Sequence, residues 1–350
     1  MNIKRLSSLP FLAALAFSSH AAMTMHVVSN ASLFDGVIAR DVRWAGPGEV
    51  YVSLGKRGAI RTRVDSTVHF TPVMPAGEHG GFPLTGRIAA AQKHLVVASP
   101  LGGVGWIPLA TNGARPVGHR PLLSVMDIDA RGDRVAVLGA DSGKVQGLAR
   151  DGTIAWVGSL SKSMSDMRPL MKGRSKPGGK DMARCSILET GSIRFMPDGS
   201  LIVVPGVEPG VFRYDAAGKL VQTWDSDPLG IIDDCWIGDK ELELVARDFG
   251  KRIDWLATKV TVDDILPLPG GPGLLLRRVE KGVTKWDLVR LPYQGRMERV
   301  ALPVTMPHPR AHVRGDVRGN QVVLLAFEDP LPGQRPLAPP RLVVLSIAGQ

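Results

Sequence analysis

Residues 192–206 read SIRFMPDGSLIVVPG. A short apolar stretch (Ile193, Phe195) leads into the polar turn Pro197-Asp198-Gly199-Ser200, and a β-branched run follows at Leu201–Val204. Aspartate suits such a turn because it bonds its own backbone, and glycine because it accepts positive φ. The phrase predicts two strands joined by a tight turn.

The same phrase recurs along the chain. It appears as DVRWAGPGEVYVSL from Asp41, RIAAAQKHLVVAS from Arg87 and VMDIDARGDRVAVLG from Val125. It returns as DCWIGDKELELVA from Asp234, DILPLPGGPGLLLRR from Asp264 and HVRGDVRGNQVVLLA from His312. A third alternating run follows most copies: GAIRTRV, GVGWIPL, KVQGLAR, GVFRYDA, KWDLVRL and RLVVLSI. A fourth is legible in TVHFTPV, TIAWVGS, LVQTWDS and MERVALP. Four antiparallel strands repeating at about 45 residues is the period of a β-propeller blade. Each blade buries a face only against its neighbours, so the ring must close. We therefore expect an all-β chain, a single propeller domain over residues 22–350. The count favours seven blades; six with one extra hairpin is the other count. The segment MHVVSNA, from Met25, has no partner in its own unit and is expected to supply the outer strand of the last blade.

Composition agrees with this reading and excludes others. Of 350 residues, 44% are hydrophobic and 22% charged, which fits neither a disordered chain nor a membrane bundle. Forty glycines and 27 prolines mean many turns and few long helices. Two cysteines exclude a cysteine-rich scaffold and a four-thiolate zinc site. The six tryptophans Trp44, Trp106, Trp156, Trp224, Trp255 and Trp286 fall one to a unit, with Trp236 as a second in the fifth, a pattern suited to packing between blades.

The chain opens MNIKRLSSLPFLAALAFSSHAA. Lys4 and Arg5, the apolar stretch Leu9 to Phe17 and Ser19-His20-Ala21 have the layout of a signal peptide over residues 1–21. Export to the periplasm or the medium is the expectation, with no transmembrane segment. Loss of the two leader cations takes the net charge from +10 to +8. Residues 158–185 carry seven Lys or Arg against Asp166 and Asp181, a surplus of five, and read as a basic loop insertion. Outside the cytosol a basic surface rarely meets nucleic acid. An anionic partner protein, a glycan or the envelope surface is the expected counterpart, and Lys162, Arg168, Lys172 and Arg174 are candidate contacts. Met164, Met167, Met171 and Met182 in the same segment suit adaptable packing, a partner surface or Cu(I).

The phrases PDGSLIVV, YDAAGKLVQTW and ARDGTIAWV resemble the Asp-x-x-Gly turns of secreted bacterial propellers of the NHL and TolB-like kind. The resemblance spans nearly the whole mature chain, and it implies a fold without a particular activity.

The chain has no nucleophile elbow, Walker loop, HExxH or EF-hand loop. Two Arg-Gly-Asp tripeptides, at Arg131 and Arg314, read as turns between first and second strands. Some propellers of this type are lyases or hydrolases with histidine and metal at the channel mouth, which makes His79, His308 and His312 metal candidates. Asp41, Asp233, Asp234, Asp263 and Asp264 cluster where inner strands begin and would crowd at the channel entrance. Structural Ca²⁺ or guanidinium groups would relieve that repulsion, and Arg87, Arg194 and Arg314 stand at comparable positions. The resulting expectation is a monomeric binding or scaffold module that recognises a partner or ligand on one face, without a required cofactor. A lyase or hydrolase with a His/metal site is the alternative.

Cys185 and Cys235 are expected to pair, since export places them in an oxidising compartment. Closing a loop of about 50 residues would stabilise the fold by roughly 4 kcal/mol on the chain-entropy model. Mass analysis of the exported protein under non-reducing, denaturing conditions should find no alkylatable thiol; two free thiols would refute the bridge.

Overall fold

The turn at Pro197–Ser200 forms as its residues dictate. Asp198 Oδ1 accepts from Ser200 N at 2.9 Å and from Ser200 Oγ at 2.6 Å, while Gly199 takes φ +86°. The flanking strands pair with Ser192 opposite Val204. Six of the seven phrases fold into such hairpins. The structure, a computed structural model, describes residues 23–33, 36–65, 70–74, 86–99, 103–110, 117–120, 125–139, 144–148, 154–159, 191–204, 210–225, 227–231, 248–330 and 333–348.

Each hairpin supplies the two inner strands of a four-stranded antiparallel blade. Strand β1 (Thr24–Ser32) stands apart at the start of the chain. Blade 1 follows with β2 (Asp41–Gly46), β3 (Glu49–Ser53), β4 (Ala59–Arg63) and β5 (Phe70–Met74). Blade 2 holds β6 (Arg87–Ala90), β7 (His94–Ser99), β8 (Gly103–Pro108) and β9 (Val117–Arg120). Blade 3 holds β10 (Val125–Arg131), β11 (Arg134–Gly139), β12 (Lys144–Leu148) and β13 (Ile154–Ser159). Blade 4 holds β14 (Ser192–Phe195), β15 (Leu201–Val204), β16 (Val211–Tyr214) and β17 (Leu220–Trp224). Blade 5 holds β18 (Thr261–Leu266), β19 (Gly273–Glu280), β20 (Val283–Arg290) and β21 (Glu298–Met306). Blade 6 takes β22 (Ala311–Arg318), β23 (Gln321–Glu328) and β24 (Arg341–Ala348), and β1 completes it.

The inner strands pack in a closed circuit, β2 on β6, then β10, β14, β18, β22 and back to β2. Every joint has its own apolar cluster. Between blades 3 and 4, for example, Leu138 and Val145 meet Ile193, Val203 and Phe212. Between blades 6 and 1, Leu325 and Val344 meet Val42, Val50 and Val52. Strands β7, β15 and β23 are buried along all or most of their length, which is why they read as unbroken apolar runs.

The count is therefore six blades, not the favoured seven. Strand β14 packs directly on β18, so no blade stands between them. The phrase from Asp234 lies outside the described residues, and the chain just before β18 is helix α1 (Phe249–Ala257), which carries Trp255. Its N-cap Asp248 accepts from Lys251 N. No helix among the described residues is long and apolar enough to cross a membrane. A second correction concerns the Arg314-Gly315-Asp316 tripeptide, which lies inside β22 and not in a turn. The turn comes later, where Gly319 takes φ +58°. Gly315 is needed for closeness instead: a Cβ there would come within 2.8 Å of Leu324 and 2.9 Å of Leu266.

Closure follows the expectation drawn from Met25. Strand β1 pairs antiparallel with β24 from Thr24 opposite Ala348 to Ser32 opposite Arg341, with a register shift between Val27 and Ser29. The first and last strands of the ring are thus joined by a backbone ladder, Arg341 Nε donates across it to Asn30 Oδ1 at 3.2 Å, and Met23 and Met25 pack into the cluster between blades 5 and 6. A chain beginning at Leu33 should lose several kcal/mol, lowering the melting midpoint by about 10 °C. Calorimetry of this chain and of one beginning at Met23 checks this; equal midpoints would refute ring closure by β1.

Candidate functional site

In each blade the first strand turns one edge toward the ring axis, where its N–H and C=O groups have no strand to pair with. Buried backbone groups need partners. Side chains from the preceding blade provide them at all six joints. Asp41 Oδ2 accepts from Ile88 N at 2.9 Å, joining blades 1 and 2. Asp127 Oδ2 and Asp129 Oδ2 accept from Ile193 N and Phe195 N at 3.0 and 2.7 Å, joining blades 3 and 4. Asp263 Oδ2 and Asp264 Oδ2 accept from Val313 N and Gly315 N, both at 2.9 Å, joining blades 5 and 6. Asp316 Oδ2 accepts from Trp44 N at 2.9 Å and closes blade 6 onto blade 1. At the remaining joints arginine serves the carbonyls. Arg87 Nε donates to Met126 O at 3.2 Å, and Arg194 Nε to Ile265 O at 3.0 Å.

The same side chains neutralise one another. Arg194 Nη2 lies 2.7 Å from Asp264 Oδ1, and its Nη1 lies 3.4 Å from Asp129 Oδ1. Arg43 Nη1 lies 2.6 Å from Asp41 Oδ1. Arg87 approaches Asp127 at 3.7 Å, and Arg314 approaches Asp264 and Asp127 at 3.8 and 4.0 Å. Guanidinium groups thus stand among the axial carboxylates. Among the described residues no group of three His, Cys, Asp or Glu is placed to hold a metal ion.

The carboxylates of this axis are not equivalent. Burial pushes Asp127 up to about 6, against the opposing pull of Arg87, and Asp264 and Asp41 add to the rise. Burial also raises Asp41 and Asp129. At Asp264 burial acts in the same sense, yet Arg194, Arg43 and the Gly315 N–H overcome it and hold the carboxyl below its ordinary value. The Ser192 hydroxyl lies 2.8 Å from Asp127 Oδ2 and 3.2 Å from Asp264 Oδ1. One hydroxyl hydrogen serves one acceptor, so a proton on Asp127 would allow both contacts to be hydrogen bonds.

The axis opens into a cavity of about 390 Å³ at the mouth where inner strands end and first turns begin. Arg43, Arg131, Arg194, Asp129 and Asp316 supply its charged groups, and Phe195, Pro197, Pro267 and Pro269 apolar parts of its wall. Arg43 is 2% exposed, and its Nε and Nη2 have no hydrogen-bond partner among the described residues. At the opposite mouth, where inner strands begin, Asp263 also accepts from Trp286 Nε1 at 2.7 Å and faces His312 Nδ1 at 3.0 Å.

Of the residues singled out from sequence, Arg87, Arg194, Arg314, Asp263 and Asp264 come together at the axis with Asp41. His308 and His312 do not converge. His308 Nε2 faces Glu328 at 3.4 Å, while His312 faces Asp263. Lys162, Arg168, Lys172, Arg174, Asp233, His79 and both cysteines lie outside the described residues. The chain leaves β13 at Ser159 and returns at Ser192. Ser159 shares a row across blade 3 with Lys144, Gly139 and Val125, at the inner-strand start. Sequence reading passed over Arg43, Asp127, Asp129 and Asp316. The available signal was charge at alternate positions of an otherwise apolar inner strand, as in Asp41-Val-Arg43, Asp127-Ile-Asp129 and Arg314-Gly-Asp316.

Fold and axis together define a six-bladed β-propeller sealed by buried charge. No family model matches the chain, and no curated protein matches it. Among solved structures it is similar to a chain of the mitotic checkpoint complex, with 13% identity, 90% of this chain and 79% of that chain covered, and a TM-score of 0.47. It is also similar to the WD40 β-propeller domain of Doa1, at 9% identity, 92% and 97% coverage and a TM-score of 0.47. A protein of unknown function from Bacteroides caccae is a third, at 11% identity, 79% and 85% coverage and the same TM-score.

The raised Asp127 has a consequence for stability. A carboxyl whose pKa is higher folded than unfolded favours the native state at low pH, and that contribution is lost as pH rises through about 6. Asp127→Asn never ionises, so between pH 4 and 7.5 it should gain on the wild type by at most about 3 kcal/mol. Denaturant unfolding of both proteins across that range checks this, and a pH-independent difference would refute it.

Proposed function

We propose that the chain is an exported β-propeller binding module that takes an anionic partner or ligand at the channel mouth where the inner strands end. The observation that carries this reading is the axial cavity, whose charged groups are held by the six-joint network and not by mobile loops. Export is supported by the leader-like residues 1–21, and an anionic counterpart by the net charge of +10. The Asp-x-x-Gly turns support placement among the secreted propellers of the NHL and TolB-like kind. The charge of residues 158–185, seven Lys or Arg against two Asp, supports a second, weaker electrostatic contact with an anionic envelope surface or glycan.

Hydrogen exchange of the purified mature protein, with and without an extract of the native envelope, tests the reading. Protection is expected in the first turns, around Arg131, Pro197, Pro269 and Gly319. Protection confined to the opposite mouth would overturn the choice of face, and no protection anywhere would overturn the binding role.

A further inference from the structure

We propose that the outer edge of β1 is where a second copy of this chain docks, the two strands pairing antiparallel across a two-fold axis and joining blade 6 of one protomer to blade 6 of its partner. The ring closes on itself, yet every blade still leaves one edge of its outermost strand without a neighbour. Such edges invite pairing unless something guards them. Three of the other five are guarded. Strand β5 carries Pro72, β21 carries Glu298, Arg299 and Pro303, and β9 spans only four residues and ends in Arg120. Strands β13 and β17 are uncharged but short, at six and five residues. Strand β1 reads TMHVVSNAS, nine residues without Pro, Lys, Arg, Asp or Glu. Proline would remove a donor and a charged side chain would resist dehydration, so their absence leaves this edge open to a further strand.

Exposed apolar side chains gather at the same place. Six large hydrophobic residues stand exposed among the described ones, and three of them, Val27, Val28 and Phe70, belong to β1 or to the seam beside it. Val28 is the extra residue at the register shift of β1 and is 57% exposed. Phe70 lies opposite Thr62, on the same side of blade 1 as Ile60, which packs into the cluster between blades 6 and 1. Ser29 Oγ donates to Val64 O at 3.4 Å and braces β1 against blade 1.

The strand's own chemistry selects the occupant. An edge without charge gives an acidic or basic partner nothing to pair with. A second copy brings the same neutral strand and the same valines, and no like charges on the two strands meet across the axis. Two identical strands running antiparallel are also self-complementary, as a two-fold interface requires. The area is of the right order. Nine residues of strand are about 30 Å long, and pairing over that length with side chains on both faces buries roughly 1,000 Å² in total, which suits a reversible dimer of micromolar affinity.

Analytical ultracentrifugation of the chain beginning at Met23, which carries every described strand, tests this. From about 1 to about 500 µM it is expected to show a monomer–dimer equilibrium. Added salt should tighten that equilibrium, because both copies are net positive and the edge holds no ion pair to screen. Val28→Lys places a charge on the edge at an exposed position, and should weaken the dimer about tenfold or more at an unchanged melting midpoint. Val221→Lys makes the same change at a 50% exposed position on β17 and should leave the dimer as it is. Amide exchange across Thr24–Ser32 should slow as the concentration of the unaltered chain rises through the dimer range. A monomer at every concentration overturns the proposal, as does a dimer that Val28→Lys leaves intact, that Val221→Lys weakens equally, or that salt disperses. Exchange in β1 that ignores concentration overturns it as well. The cavity and its binding role are tested separately and stand or fall without it.

Discussion

Six strand edges face the ring axis without a further strand to pair with. Their backbone groups are buried, cannot reach each other in ladder fashion, and must be satisfied by side chains. This constraint shapes the rest of the molecule. It explains why Asp41, Asp127 and Asp264 are buried at 0% exposure in strands that are otherwise aliphatic. A carboxylate reaches across to the next blade's N–H, and where the joint needs a donor, Arg87 or Arg194 reaches a carbonyl. The apolar clusters hold blade to blade, while these bonds set the angle at which each blade meets the next.

Burying so many charges is expensive unless they are paired. The arrangement keeps the sum near zero by alternating sign around the axis, with Arg87 and Arg314 set between blades that carry Asp127, Asp264 and Asp41. Asp264 is the centre of this balance. Arg194, Arg43 and Arg314 all approach it, and it bonds the N–H of Gly315 as well. Asp127 receives less, and burial carries it toward neutrality. Removing either carboxylate has different consequences for that reason: one is held charged by its neighbours, the other is penalised for its charge.

Rigidity at the axis bears directly on recognition. The plane of the Arg43 guanidinium is fixed by Asp41, Val42 O and Gly315 O, so the charged groups beneath the cavity are held in one arrangement. Gly315 is pivotal in this. It has no side chain to strike Leu324, its N–H serves Asp264, and its carbonyl draws Arg43 and Arg194 together.

The repeated hairpin phrase was enough to establish an all-β propeller, because a polar Gly or Asp turn between apolar runs has few other solutions. The lone strand at Met25 likewise announced the closure with β24, since an unpaired strand near one terminus and a missing outer strand near the other answer each other. Blade number was not legible in the same way. The phrase from Asp234 has the composition of the others, and only the direct packing of β14 on β18 excludes a blade between them. The charged axis was half legible: aspartates at inner-strand starts and arginines at matching positions were visible, but Arg43, Asp129 and Asp316 were not. Their role depends on the neighbouring blade's backbone, up to 272 residues away for Trp44 and Asp316. Local sequence determines which face of a strand a side chain takes; which unpaired N–H or carbonyl waits on the other side is decided by ring closure alone.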